Sequence, residues 1–175
     1  EQEYHLDVGV LGGRVLFHVL TEFGYSDLAF SMITRPDYPS YGNWIARGAT
    51  TLWEVFQPEG SDRIGSLNHH FWGDISSWFT QALSGIRMAP HGEPNEVDFR
   101  PSFISRLTHA EAFHIAPAGR IASAWERDED DVIVLTVKLP STMHGVIRLE
   151  SGYVFEDDLA YKAAESGTYR IHSIE

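Results

Sequence analysis

The sequence predicts an α+β chain divided by segment, helical up to about residue 90 and an antiparallel β-sandwich after it. Three observations predict this. Apolar residues recur every three or four positions from Val8 to Ile86, and every second position in the stretches after Val97. Between them, Pro90-His91-Gly92-Glu93-Pro94 interrupts both regimes. The first spacing lines one helix face and the second lines one strand face, while prolines break either ladder of backbone hydrogen bonds. Two domains are therefore expected, 1–90 and 91–175.

The first helix is expected over Val8–Phe23, where Val8, Leu11, Val15, Leu16, Val19, Leu20 and Phe23 repeat at helical spacing around Gly9, Gly12 and Gly13. Each glycine costs a helix interior about 1 kcal/mol against alanine, so three together point to close packing against the backbone. Ser26 is the expected N-cap of a second helix through Leu28, Ala29, Met32 and Ile33, ended by Pro36. A third helix is expected through Trp72, Ile75, Phe79, Ala82, Leu83 and Ile86. Three helices with wide apolar stripes cannot bury one another, and they imply a larger helical array. The start, Glu1-Gln2-Glu3-Tyr4, lacks both Met and a signal-type apolar run, which fits a segment of a longer polypeptide.

Between the second and third helices lie the 33 residues Pro36–Asn68. Irregular connections beyond about 15 residues are uncommon in compact domains and are usually functional. This one carries Tyr38, Tyr41, Trp44, Trp53 and Phe56, too many rings for a flexible linker, and is expected to be an ordered site loop. In the second half, strands are expected at Val97–Phe103, Leu107–Ile115, Arg120–Glu126, Ile133–Leu139, Val146–Glu150, Tyr153–Phe155 and Thr168–Ile174. The acidic run Asp128-Glu129-Asp130-Asp131 is the turn of a hairpin.

A net charge of −12 opposes binding to nucleic acid or an anionic membrane surface, and no apolar run approaches the length of a bilayer span. The absence of cysteine removes disulfides, thiolate metal sites and cysteine nucleophiles, and leaves the compartment open. No His-rich ligand spacing, G-x-S-x-G or G-x-G-x-x-G is present, so neither metal, serine triad nor dinucleotide is expected, and no cofactor is implied.

Glu54, in Gly48-Ala-Thr-Thr-Leu-Trp-Glu54, is the leading candidate for chemistry. Glycoside hydrolysis requires a carboxylate that takes a proton from water beside the anomeric carbon, with rings nearby to receive the sugar's C–H face. The competing reading is a solvated loop glutamate beside a core tryptophan. Asn68-His69-His70 opens the third helix, where a histidine can donate to a sugar hydroxyl or simply cap the helix.

These residues together resemble glycoside hydrolase family 78, the inverting α-L-rhamnosidases. The resemblance rests on Tyr38-Pro-Ser-Tyr-Gly42, Gly48–Glu54 and Ser66-Leu-Asn-His69. It extends from Asp7-Val-Gly-Val-Leu-Gly12 to Trp78-Phe79, Gly85-Ile86, Arg100-Pro101 and Pro117–Trp125. The resemblance implies the last helices of an (α/α)6 barrel followed by a C-terminal β-sandwich. It implies Glu54 as general base and His69 as a rhamnose contact, with Asn68, Trp53, Trp44 and Tyr41 helping to form the pocket. The implied partners are a rhamnose-containing glycoside and the preceding part of the same enzyme. Two departures stand out: His70 replaces the family's usual tyrosine, and the acidic stretch that carries the family's general acid is not in this chain. A non-catalytic carbohydrate-binding protein, or a structural module closing the barrel, are the alternatives.

Overall fold

The computed structural model describes residues 4–61 and 65–174, which form two compact units, Glu1–Ser77 and Trp78–Glu175. In the first unit, α1 (Val10–Glu22) buries Gly13 and Phe17. The glycine is required there: a Cβ at Gly13 would lie 2.3 Å from the Trp72 ring. The helix ends at Gly24, whose φ of 81° suits glycine, and the Tyr25 N–H donates back to Leu20 O at 2.7 Å. Helix α2 (Ser26–Thr34) stops before Pro36 as expected, but Ser26 is its buried first residue. Tyr25 occupies the N-cap, with no side-chain cap.

The segment expected to be irregular contains a helix, α3 (Tyr41–Ala46). Its apolar signal is short, and its start is set by Ser40, whose Oγ accepts from Asn43 N–H at 2.9 Å and donates to Arg35 O at 2.6 Å. Gly42 lets the end of α2 approach, since a Cβ there would sit 2.3 Å from Arg35 O. The single third helix expected over 72–86 is instead three short pieces. These are a 3₁₀ turn at His70–Trp72, α4 (Ile75–Trp78), and a π turn at Phe79–Leu83. Gly73 separates the first two, and Ser84-Gly85 ends the run. Gly85 has φ 77° and approaches the backbone of Pro101 and Arg100 so closely that no side chain fits.

Among the described residues, the second unit holds nine strands. They are β1 (Ile86–Met88), β2 (Val97–Phe99), β3 (His109–Ala116), β4 (Gly119–Arg127), β5 (Ile133–Lys138), β6 (Val146–Arg148), β7 (Tyr153–Phe155), β8 (Tyr161–Ala163) and β9 (Gly167–Ser173). One sheet has order β1-β2-β6-β8 and the other β3-β4-β5-β9-β7. All named pairings are antiparallel except β2 with β6, which is parallel and departs from the expected purely antiparallel arrangement. Strands β1 and β8 were not expected: Ile86 falls in the expected third helix, and Tyr161–Ala163 carries no apolar alternation. Proline shortens the expected Val97–Phe103 strand to Phe99, since Pro101 has no N–H for a ladder.

Alternation does the rest. Ile121, Ser123 and Trp125 of β4 point inward with Ile133, Leu135 and Val137 of β5 and Ile171 of β9. From the other sheet, Ile86, Val97, Phe99 and Ile147 join the same core. The two sheets thus share one apolar interior, as a sandwich does. The Trp125 indole N–H is satisfied by Leu83 O at 2.6 Å.

The first unit is less complete. Leu11, Val15 and Val19, four residues apart on α1, are 78%, 56% and 49% exposed, and Phe23 continues the stripe. A soluble chain rarely leaves such a contiguous apolar face in water. The isolated chain is therefore expected to bind an apolar dye and to self-associate in sedimentation. Replacing Val15 and Val19 with Glu should reduce both effects while shifting stability by less than about 1 kcal/mol, because no buried contact is lost. A compact monomer without dye binding would contradict this.

Candidate active site

Glu54 lies in the chain that leaves α3, alongside the segment that leads into the 3₁₀ turn. Glu54 N–H donates to Ser66 O and His69 N–H to Leu52 O, both at 2.8 Å. The Thr51 hydroxyl also donates to Leu67 O. These bonds tie residues 51–54 to residues 66–69, bringing Glu54 and His69 into one framework although they lie fifteen positions apart. The Glu54 carboxylate is held on one side, with Oε2 accepting the Ser66 N–H at 2.8 Å. Oε1 has no partner among the described residues, and the side chain is exposed. That leaves one fixed oxygen and one available to a water or a substrate.

The backbone under this glutamate is anchored by Trp72, whose indole N–H donates to Glu54 O at 2.9 Å. Trp72 is buried against Gly13, and its own carbonyl accepts the Tyr41 hydroxyl at 3.2 Å. Around it the rings form one cluster. Tyr41 meets Phe17, Trp44, Phe56 and Trp72 with centroids 5.4–6.2 Å apart, and Trp44 stacks on Phe56 at 4.2 Å. Ring pairs in these geometries add to the stabilisation from burial alone. Burial, reinforced by the Asp74 charge, pushes the Tyr41 hydroxyl above the ordinary phenol range, so it serves as a neutral donor.

The proposed pocket residues therefore occupy different layers. Tyr41 and Trp44 are buried in the ring cluster beneath the loop, 7% and 1% exposed. Trp53 is half-buried above Trp44, with the Arg47 guanidinium over its face at 5.2 Å. Glu54 and Asn68 are exposed and His69 is half-buried. His69 caps the 3₁₀ turn through Nδ1, which accepts the Phe71 N–H at 3.3 Å. A neutral ring in that role carries its hydrogen on Nε2, which presents a donor outward. His69 thus takes the cap role of its sequence readings. Sequence reasoning missed Ser66 and Trp72 as the groups that hold Glu54. Their partners are 12 and 18 positions away, and no local spacing marks such a pair.

Residues 1–83 match the family described as the bacterial alpha-L-rhamnosidase 6 hairpin glycosidase domain, and residues 95–153 match its C-terminal domain. An alpha-L-rhamnosidase of Formosa agariphila is 33% identical over 148 residues, 81% of this chain and 16% of the relative. One from Streptomyces avermitilis is 30% identical over 79% of this chain and 14% of its own length. The chain thus spans about one sixth of the curated relatives it matches. Among solved structures, the alpha-L-rhamnosidase of Dictyoglumus thermophilum superposes with a TM-score of 0.82 at 27% identity, over 98% of this chain and 21% of that one. The Streptomyces avermitilis enzyme, solved with L-rhamnose, gives 0.81 at 27% identity, over 95% and 18%.

Trp72→Phe keeps most of the packed ring but removes the N–H that holds Glu54. It should cost about 1 kcal/mol or somewhat more, the usual value of one hydrogen bond whose acceptor is left partly unsatisfied. Gly13→Val should cost more, because the added carbons collide with the same ring. Denaturant midpoints of the two variants check this; an unchanged midpoint for Gly13→Val would contradict the packing.

Proposed function

We propose a hydrolytic role from one premise: the chain belongs to the bacterial α-L-rhamnosidase family. Residues 1–90 are the closing helices of an (α/α)6 glycosidase barrel, and residues 91–175 are the sandwich that follows it. The boundary near residue 90 lies in the interval between the two family matches. The exposed Leu11, Val15 and Val19 stripe is the surface on which the preceding barrel helices pack. Glu54 is the general base, His69 and Asn68 contact the sugar, and Trp53 borders it. Tyr41 and Trp44 support the loop from below. The general acid comes from an earlier stretch of the complete enzyme. The partner is a glycoside carrying α-L-rhamnose.

The observation that carries this reading is the half-held Glu54 carboxylate, in a segment that backbone bonds tie to that of His69. An inverting glycosidase needs two carboxyl groups about 6.5–9.5 Å apart, one to protonate the leaving oxygen and one to deprotonate water. Oε2, fixed by Ser66 N–H, orients the group while Oε1 remains free to accept the water's proton. Indole and backbone anchoring keeps that oxygen in place between turnovers, which is the positional part of catalysis.

In the complete enzyme, Glu54→Gln should lower kcat by about 10²-fold or more and change KM much less, because the base acts in the transition state. His69→Ala should raise KM as well, since it removes a contact made in both states. Added azide should restore turnover of Glu54→Gln and yield a β-configured rhamnosyl azide. Near-normal kcat in a folded Glu54→Gln enzyme would remove the base assignment and favour the non-catalytic binding or capping role. The 175-residue chain by itself should show no enzymatic hydrolysis of an aryl rhamnoside, lacking general-acid help worth about 10²–10⁴-fold.

A further inference from the structure

Trp72 holds the Glu54 carbonyl from a weak platform. It ends a 3₁₀ turn of three residues, His70–Trp72, and Gly73 follows at once. A turn that short has little stability of its own, and glycine leaves the next backbone step free. The Gly13 notch on α1 fixes where the ring packs. That one contact does not fix the ring's rotation, and an N–H bond weakens steeply once it is misaimed. A further attachment has to set the angle at which the indole meets Glu54 O, 2.9 Å away.

Asp74 supplies it. Its Oδ2 accepts from His18 Nε2 at 3.1 Å, across 56 sequence positions. An ionised carboxylate only accepts, so the imidazole Nε2 is the donor in either charge state of the ring. His18 lies five residues after Gly13 on α1, a rise of about 7.5 Å. Residues 72–74 are therefore pinned to one rigid helix at two separated places, and two points define a direction where one does not. On the other side, the Tyr41 hydroxyl of α3 donates to Trp72 O at 3.2 Å. Asp74 bears on that bond too. After burial, its charge is the second cause that pushes the Tyr41 hydroxyl above the phenol range and keeps the donated proton in place.

We propose that Asp74 and His18 are positioning residues for the Glu54 base: their hydrogen bond aims the Trp72 indole at the Glu54 carbonyl and so keeps Oε1 in place for the attacking water. This rests on the reading of Glu54 as the base, and adds two residues that act on it through Trp72. Each side chain of the pair is 31% exposed. A pair that open contributes little to folding stability, so its effect falls on geometry.

In the complete enzyme, Asp74→Ala and His18→Ala should each lower kcat about tenfold and change KM less than about threefold. A misplacement of about 1 Å at a reacting group costs up to about 10²-fold. The double variant should lose no more than either single one, because both break the same bond. Asp74→Asn and His18→Gln keep an acceptor and a donor at the same reach, and should return kcat to within about threefold of the unsubstituted enzyme. In a Glu54→Gln background Asp74→Ala should cost nothing further, because no base is left to aim. Denaturant midpoints should shift little throughout. Unchanged kcat in both alanine variants would overturn the proposal. So would an Asp74→Asn loss as large as that of Asp74→Ala, which would make the charge itself the active feature. A loss that follows the unfolding curve, or that persists undiminished in Glu54→Gln, would assign the pair to folding. Should Asp74→Ala fold poorly, His18→Ala and His18→Gln make the same comparison from α1. Near-normal kcat in Glu54→Gln would defeat the base assignment and this proposal with it, whereas a crippled Glu54→Gln beside an unaffected Asp74→Ala would defeat this proposal alone.

Discussion

The Trp72 indole ties the first unit together. Its ring needs the space that Gly13 leaves on α1, its N–H holds the Glu54 carbonyl, and its own carbonyl receives the Tyr41 hydroxyl. One side chain thus joins α1, the head of α3 and the site loop. The arrangement is demanding, because a buried indole N–H without an acceptor costs as much as a lost hydrogen bond. The neighbouring Trp44 bears that cost: its buried Nε1 has no partner among the described residues. Trp44 is retained for its rings, stacked on Phe56, while Trp72 contributes both ring and donor.

Among the described residues, Glu54 gains its orientation from backbone and indole bonds. Two bonds with Ser66, through the main chain and through Oε2, act with the Trp72 bond to limit its motion. Holding the group by backbone and indole donors keeps its position defined.

The second unit solves a different problem, closing its short strands over one core. Five of its strands form the longer sheet, and the long β3–β4–β5 ladder supplies the register. The Trp125 indole is used as Trp72 is, with its N–H bonded to a carbonyl that ends a helical turn. Close approaches at Gly85 and Gly145 let loop and strand backbones pass where no Cβ fits.

The sequence by itself determined the division into helical and strand halves, the ends of α1 and α2, the β4–β5 hairpin and its acidic turn, and Glu54 and His69 as the residues to watch. Each of these depends on neighbours within a few positions: periodicity of three to four or of two, a glycine or proline stop, or a local motif. Only the tertiary structure decided what depended on distant partners. It placed Tyr41 and Trp44 under the loop and not on its surface, because composition marks a ring but not the depth at which it packs. It broke the third helix into 3₁₀, α and π turns, and ended it at Gly85, which is pressed against the remote backbone of Arg100 and Pro101. It put β2 beside β6 in parallel, a pairing between strands nearly fifty residues apart. It also brought Ser66 and Trp72 to Glu54, and Asp74 to His18, through long-range packing that no local pattern encodes.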